Sequence, residues 1–132
     1  MMIDEVVQLM KENSPNYIAT IDGDAPRVRP MGYIECYEGR IVFATSASSS
    51  TSRQIKANPN IEVTNTAATR DKAVRIKGKA VIITDNSIKA ALVEAQPNLK
   101  RISEDLDGIT IFAIGEPEAT LWSYTGVTSV EM

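Results

Sequence analysis

No histidine occurs among the 132 residues, and cysteine occurs once, at Cys36. The first absence excludes a histidine general base and a histidine-ligated haem. A lone thiol among scattered carboxylates makes no tetrahedral ligand set, so no metal site is expected. The second absence excludes an internal disulfide. Long apolar runs are also missing: no stretch approaches the ~20 residues that span a bilayer. The start of the chain, "MMIDEVVQLMKENS", has acids where a signal peptide needs a basic region. A cytoplasmic location with no membrane partner is therefore expected. Dinucleotide fingerprints, phosphate loops and nucleophile elbows are absent too.

What remains suits one domain over residues 1–132. The chain is 43% hydrophobic, and at this length it can bury roughly two-thirds of its unfolded surface. Net charge is -3, which argues against a nucleic-acid partner. The distribution is uneven: residues 27–79 hold ten basic side chains against four acidic ones, so +6 lies in that segment and -9 in the rest. A middle segment of that sign either faces a small anion or carries alternating charges on wet strand faces.

Periodicity supplies the elements. Ile3, Val6, Val7 and Met10 fall at helical spacing, predicting a helix over residues 4–13 that ends at "NSPN". Runs at 16–22, 27–37 and 40–46 read as three strands of a meander. Residues 60–67 and 73–84 read as two more. "NP" stops a short helical turn after "SASSSTSR". Ile88, Ala91, Leu92 and Ala95 predict a second amphipathic helix capped by Asp85 or Asn86, with "PNLKRI" as a possible separate turn. Runs at 109–115 and 118–125 suggest a hairpin around "EP". The set fits a mainly β fold, a closed or nearly closed antiparallel barrel with flanking helices.

Two stretches carry candidate chemistry. In "PRVRPMGY", Arg27 and Arg29 share one strand face and repel each other unless an acid or a bound anion sits between them. Asp22, Glu35 and Glu38 are the candidate acids. Pro30 removes a ladder donor, and Gly32 leaves room for close approach. In "SASSSTSR", six of seven positions from Ser46 to Ser52 are hydroxyl residues at a helix start, either a cap in a surface loop or an anion site. The acids of "SEDLDG" lack calcium-loop spacing and read as a solvated turn. Trp122 and Tyr124 share a strand face, suited to a core, a subunit interface or stacking on a ligand. Cys36 reads as an inert small residue.

The ordered set "IATIDGDAPRVRPMGY", "GRIVFATS", "RQIKANPNIEV", "VRIKGKAVI" and "EATLWSY" resembles the pyridoxamine 5'-phosphate oxidase-like family of FMN-binding split barrels, over about residues 4–125. The resemblance implies a six-stranded antiparallel Greek-key split barrel and a homodimer with two FMN molecules across its interface. It implies that Arg29, Pro30, Met31 and Gly32, with Arg27 assisting, line the flavin and hold its phosphate. It implies contacts from Ala44 and Thr45, from the loop Ser49, Ser50 and Thr51, from Arg53, and from Ala73 and Trp122 near the ring.

Family members place a lysine or arginine in the loop that here reads "SSSTS". A charge-assisted hydrogen bond is worth roughly 1.5–3 kcal/mol against about 1 for a neutral one. The loop thus implies weaker FMN binding, reliance on Arg53, or another ligand. The sequence as given also ends before the Arg- and Trp-bearing segment of true pyridoxamine phosphate oxidases, which implies a short general member of the family without that specific activity. The function expected is a flavin-dependent oxidoreductase with a small-molecule redox substrate or electron donor and no identifiable catalytic side chain. The alternatives are a non-catalytic FMN-binding or electron-carrier protein, and a split barrel that uses a deazaflavin or no cofactor.

Overall fold

The computed structural model describes residues 3–130. The elements in order are α1 (Ile3–Glu12), β1 (Asn16–Asp22), β2 (Ala25–Met31), β3 (Ile34–Tyr37), β4 (Arg40–Ser46), α2 (Ser50–Ala57), β5 (Asn60–Thr66), β6 (Lys72–Ile82), α3 (Asn86–Ala95), a 3-10 turn (Pro97–Arg101), a second short 3-10 turn (Leu106–Gly108), β7 (Ile109–Ser123) and β8 (Gly126–Val130). The strands form one antiparallel sheet in the order β2-β1-β5-β6-β7-β4-β3, with β8 added to β7. It is mostly antiparallel and not closed, as a split barrel is. Among the described residues it holds eight strands where the resemblance implied six.

Two expectations fail for one reason, that strand pairing is set by distant partners. The run 27–37 is two strands. Its first part pairs with β1, Ile18 opposite Arg29, and its second with β4, Ile34 opposite Phe43. Because β2 and β3 lie at opposite ends of the sheet path yet are joined only by Gly32 and Tyr33, the sheet must roll until these two ends come near each other, without pairing. Pro30 fits the edge strand β2, whose ladder partner is β1 alone. The predicted 109–115/118–125 hairpin is instead the single fifteen-residue strand β7. One of its edges pairs with the eleven-residue β6 and the other with β4 and then β8, and "EP" marks a bend, not a turn. There the β6–β7 register shifts between Lys77 and Lys79, and Glu116 takes a φ of 51°. Gly78 is required at this shift, since a Cβ would stand 2.6 Å from the Gly115 carbonyl oxygen. The closing hairpin is β7–β8, and Tyr124 lies in its two-residue turn.

Alternation along β4 and β7 builds two cores. Ile41 and Phe43, with Phe112 and Ile114, point into the rolled sheet, where Ile18, Met31, Val63, Val74 and α1's Val6, Val7 and Met10 join them. Val42 and Ala44, with Ile109, Ile111 and Ala113, point outward and are covered by Leu92 and Val93 of α3 and by Leu99 of the 3-10 turn. Both strands are thus buried on both faces, as their unbroken apolar runs require. Asp85 caps α3, accepting the Ser87 N–H at 2.8 Å. The helix buries Leu92 and Val93, whereas Ala91 and Ala95 of the predicted stripe are exposed. A methyl group adds little burial, so the larger side chains set the rotation of α3.

Candidate functional site

Rolling of the sheet leaves a cleft of about 680 Å³ where β2 runs into β3, beside the end of β4 and the start of α2. Its lining includes Arg29, Pro30, Met31, Gly32, Ala44, Thr45 and Thr51, brought together from three separated segments, and a fourth segment adds Gln96, Asn98 and Arg101. Among the described residues, two arginines and no carboxylate line it, in a chain whose net charge is -3. That composition selects an anion, and the volume suits a cofactor-sized molecule.

The two arginines of "RVR" part company. Arg27 is exposed and pairs with Asp22 at 3.2 Å, one of the acids considered from sequence. Arg29 is half-buried and meets only neutral acceptors: Nη1 donates to Thr20 Oγ1 and Nη2 to Gln54 Oε1, each at 2.6 Å. Thr20 Oγ1 also donates to Gln54 Oε1, at 2.5 Å, so the three side chains close a ring. Burial, and then the charge of Arg27, push Arg29 below the usual guanidinium range, with Asp22 opposing. An arginine stays protonated regardless. Its charge is therefore held in place and, among the described residues, forms no ion pair.

Hydroxyls of the Ser/Thr loop mostly build the start of α2. Ser49 caps it, accepting the Ser52 N–H at 3.0 Å, and shares a 3.0 Å hydrogen bond with Thr45. Ser52 is anchored to Thr110 of β7 at 2.8 Å. With the Arg53 N–H bonded to the Ser49 carbonyl, the Ser50 and Thr51 N–H groups are the two that the helix itself cannot use. Thr51 is buried and lines the cleft, while Ser49 is partly buried, Ser50 is exposed, and neither is part of the lining.

Besides Arg27, Ser49 and Ser50, three more expected site residues stand outside the cleft lining. Arg53 is exposed on α2 and does not line the cleft. Ala73 and Trp122 oppose each other across β6 and β7, also outside the cleft lining. Trp122 stacks edge-on with Tyr124 at 5.1 Å, and with Val127 the two form an exposed apolar patch.

Sequence reasoning missed Thr20, Gln54, Tyr33 and Arg101. A signal existed for the first, a hydroxyl at an inward position of β1 where Ile18 precedes it. The Tyr33 hydroxyl is buried without a hydrogen-bond partner among the described residues. Burial, and then Glu35, push it up to about 12, so it stays protonated at neutral pH. Cys36 does not line the cleft. Burial, then Asp4, push its thiol up, which disfavours a nucleophilic thiolate. Among the described residues no cluster suits a metal ion, and no helix is long and apolar enough to cross a membrane.

A family model described as pyridoxamine 5'-phosphate oxidase matches residues 2–121. Comparison with curated proteins gives no match. Among solved structures, a nimc/nima family protein from Clostridium acetobutylicum superposes with a TM-score of 0.84 at 27% identity, covering 97% of this chain and 93% of that one. General Stress Protein 26 from Bacillus anthracis gives 0.71 at 19%, covering 98% and 100%. A heme binding protein from Mycobacterium smegmatis gives 0.72 at 14%, covering 94% of this chain and 55% of the other. The last two likenesses are of fold alone.

Proposed function

Because the chain belongs to the pyridoxamine 5'-phosphate oxidase family, we propose that it is an FMN-binding flavoprotein, working as a homodimer and acting as an oxidoreductase on a small-molecule redox partner. The observation that carries this reading is Arg29, a partly buried guanidinium clamped by two neutral acceptors in a cleft that no carboxylate of the described residues lines. Such a cation fits a phosphate, and Thr45, Thr51 and the start of α2 add hydroxyl and N–H donors beside it. Pro30, Met31, Gly32 and Ala44 offer backbone and small apolar surface on which a planar ring can lie. Bound FMN would supply hydride or electron transfer. The chain's own part is to orient and to desolvate. Tyr33, pushed up to about 12 by burial and then by Glu35, is not suited to proton transfer near neutrality. A haem, which the Mycobacterium smegmatis neighbour's description names, would find no histidine here.

The spectrum of the protein as purified tests the chromophore class. Flavin bands are expected. A haem Soret band, or a deazaflavin spectrum, would overturn the assignment.

Dimerisation completes the site in this reading. Trp122, Tyr124 and Val127 present apolar surface at exposures of 36, 79 and 63%, and a second copy buries it. Ala73 and Trp122 would then reach the flavin of the opposite subunit. Light scattering at micromolar concentration is expected to give the dimer mass. A monomer would remove the shared-site arrangement.

A further inference from the structure

The uncharged loop leaves the cofactor's phosphate short of positive charge. A phosphate monoester carries about -1.5 to -2 at neutral pH, against one unit from Arg29 and roughly +0.5 from the first turn of a helix. Residues 46–52 contain no charged side chain to make up the difference. Of the two remaining arginines near this region, Arg53 does not line the cleft and Arg101 does.

Arg101 is also well placed. It ends the 3-10 turn whose Leu99 is 1% exposed against the outer core. The turn is closed by Leu99 N–H to Gln96 carbonyl and Ile102 N–H to Leu99 carbonyl bonds, each 3.0 Å. Gln96 is tied in turn to Glu35, Nε2 donating to Oε2 at 2.9 Å. The backbone under Arg101 is thus fixed, while its side chain is exposed and, among the described residues, has no ion-pair partner. Asn98, on the same turn, adds an amide to the cleft wall.

We propose, resting on the reading that the cleft holds FMN, that Arg101 is the second phosphate cation. It reaches across the cleft from the 3-10 turn, so that two arginines from separate walls clamp one phosphate and replace the charge the Ser/Thr loop lacks. Arg53, on the outside of α2, takes no part.

Fluorescence titrations with FMN and with riboflavin, which lacks the phosphate, test this on the parent and on Arg101→Gln, Arg101→Lys and Arg53→Gln. Arg101→Gln is expected to weaken FMN binding roughly tenfold, the loss of one charge-assisted contact. Riboflavin binding stays unchanged, and the loss shrinks as salt rises. Arg101→Lys keeps most of the affinity, and Arg53→Gln stays within about twofold, as for an exposed side chain. Melting temperatures show that each variant is folded. Unchanged FMN affinity in Arg101→Gln overturns the proposal. So does an equal loss for FMN and riboflavin, which is a packing effect, or a larger loss in Arg53→Gln. A parent that prefers FMN while Arg101→Gln behaves like it refutes Arg101 alone. A parent that binds FMN no better than riboflavin refutes the phosphate site and this inference together.

Discussion

Arg29→Met is expected to bind FMN roughly 30- to 150-fold more weakly than the parent, the equivalent of about 2–3 kcal/mol for a charged contact to a partly desolvated phosphate. The size follows from how the guanidinium is held. Thr20 and Gln54 take two of its donors at 2.6 Å each and fix its plane, so a ligand meets a cation that loses little freedom on binding. The fold should survive the change. Thr20 and Gln54 keep their own hydrogen bond, so neither is orphaned, and methionine retains the apolar stem of the side chain. Arg27→Met removes only an exposed ion pair with Asp22 and should cost less than about 1 kcal/mol. Titration of both variants, alongside their melting temperatures, is the check. Parent-like affinity in Arg29→Met, or loss of FMN only through unfolding, would return the two arginines to the status of a structural charge cluster.

Phe112→Ala is expected to destabilise the protein by about 3–5 kcal/mol. A chain of this length then melts roughly 10 °C or more lower. Phe112 is fully buried, lies opposite Phe43 across the β4–β7 ladder, and stacks on it with ring centroids 5.6 Å apart. Around it the sheet is covered on both faces, so the cavity has few groups free to collapse into it. The next pairs along the ladder are Ala44 with Ile111 and Thr45 with Thr110, and Ala44 and Thr45 line the cleft. Loss of the aromatic pair should therefore weaken FMN binding as well as the fold. Phe112→Leu keeps most of the volume and should cost clearly less. Thermal denaturation of both variants tests this, and equal melting temperatures for Phe112→Ala and the parent would show that the pair does not hold β4 against β7.

How much of this was legible in the sequence differed by element, according to how local its determinants are. β1, β4, β5 and both longer helices followed from periodicity, because each has a wet face and a dry face or an unbroken apolar run. The division of 27–37 into β2 and β3 did not, since nothing inside the run says that its halves pair with β1 and β4 at opposite ends of the sheet. The continuity of β7 is not legible locally because Glu116 and Pro117 look the same in a turn and in a bent strand. Only the length of β6 across the ladder distinguishes them. At the site, Arg29 stood out through Pro30 and Gly32 beside it. Its clamp did not, because Gln54 lies 25 residues away on a helix whose inward face is fixed by tertiary packing. Arg101 was invisible for the same reason: the outer core, not the local sequence, brings the 3-10 turn to the cleft.

The central claim is that this cleft binds a flavin through its phosphate, and calorimetric titration of the parent protein with FMN and with riboflavin tests it most directly. Saturable, equimolar binding of FMN is expected, tighter than that of riboflavin by a margin that narrows with added salt. No saturable binding of FMN, or equal affinity for the two flavins at every salt concentration, would contradict it.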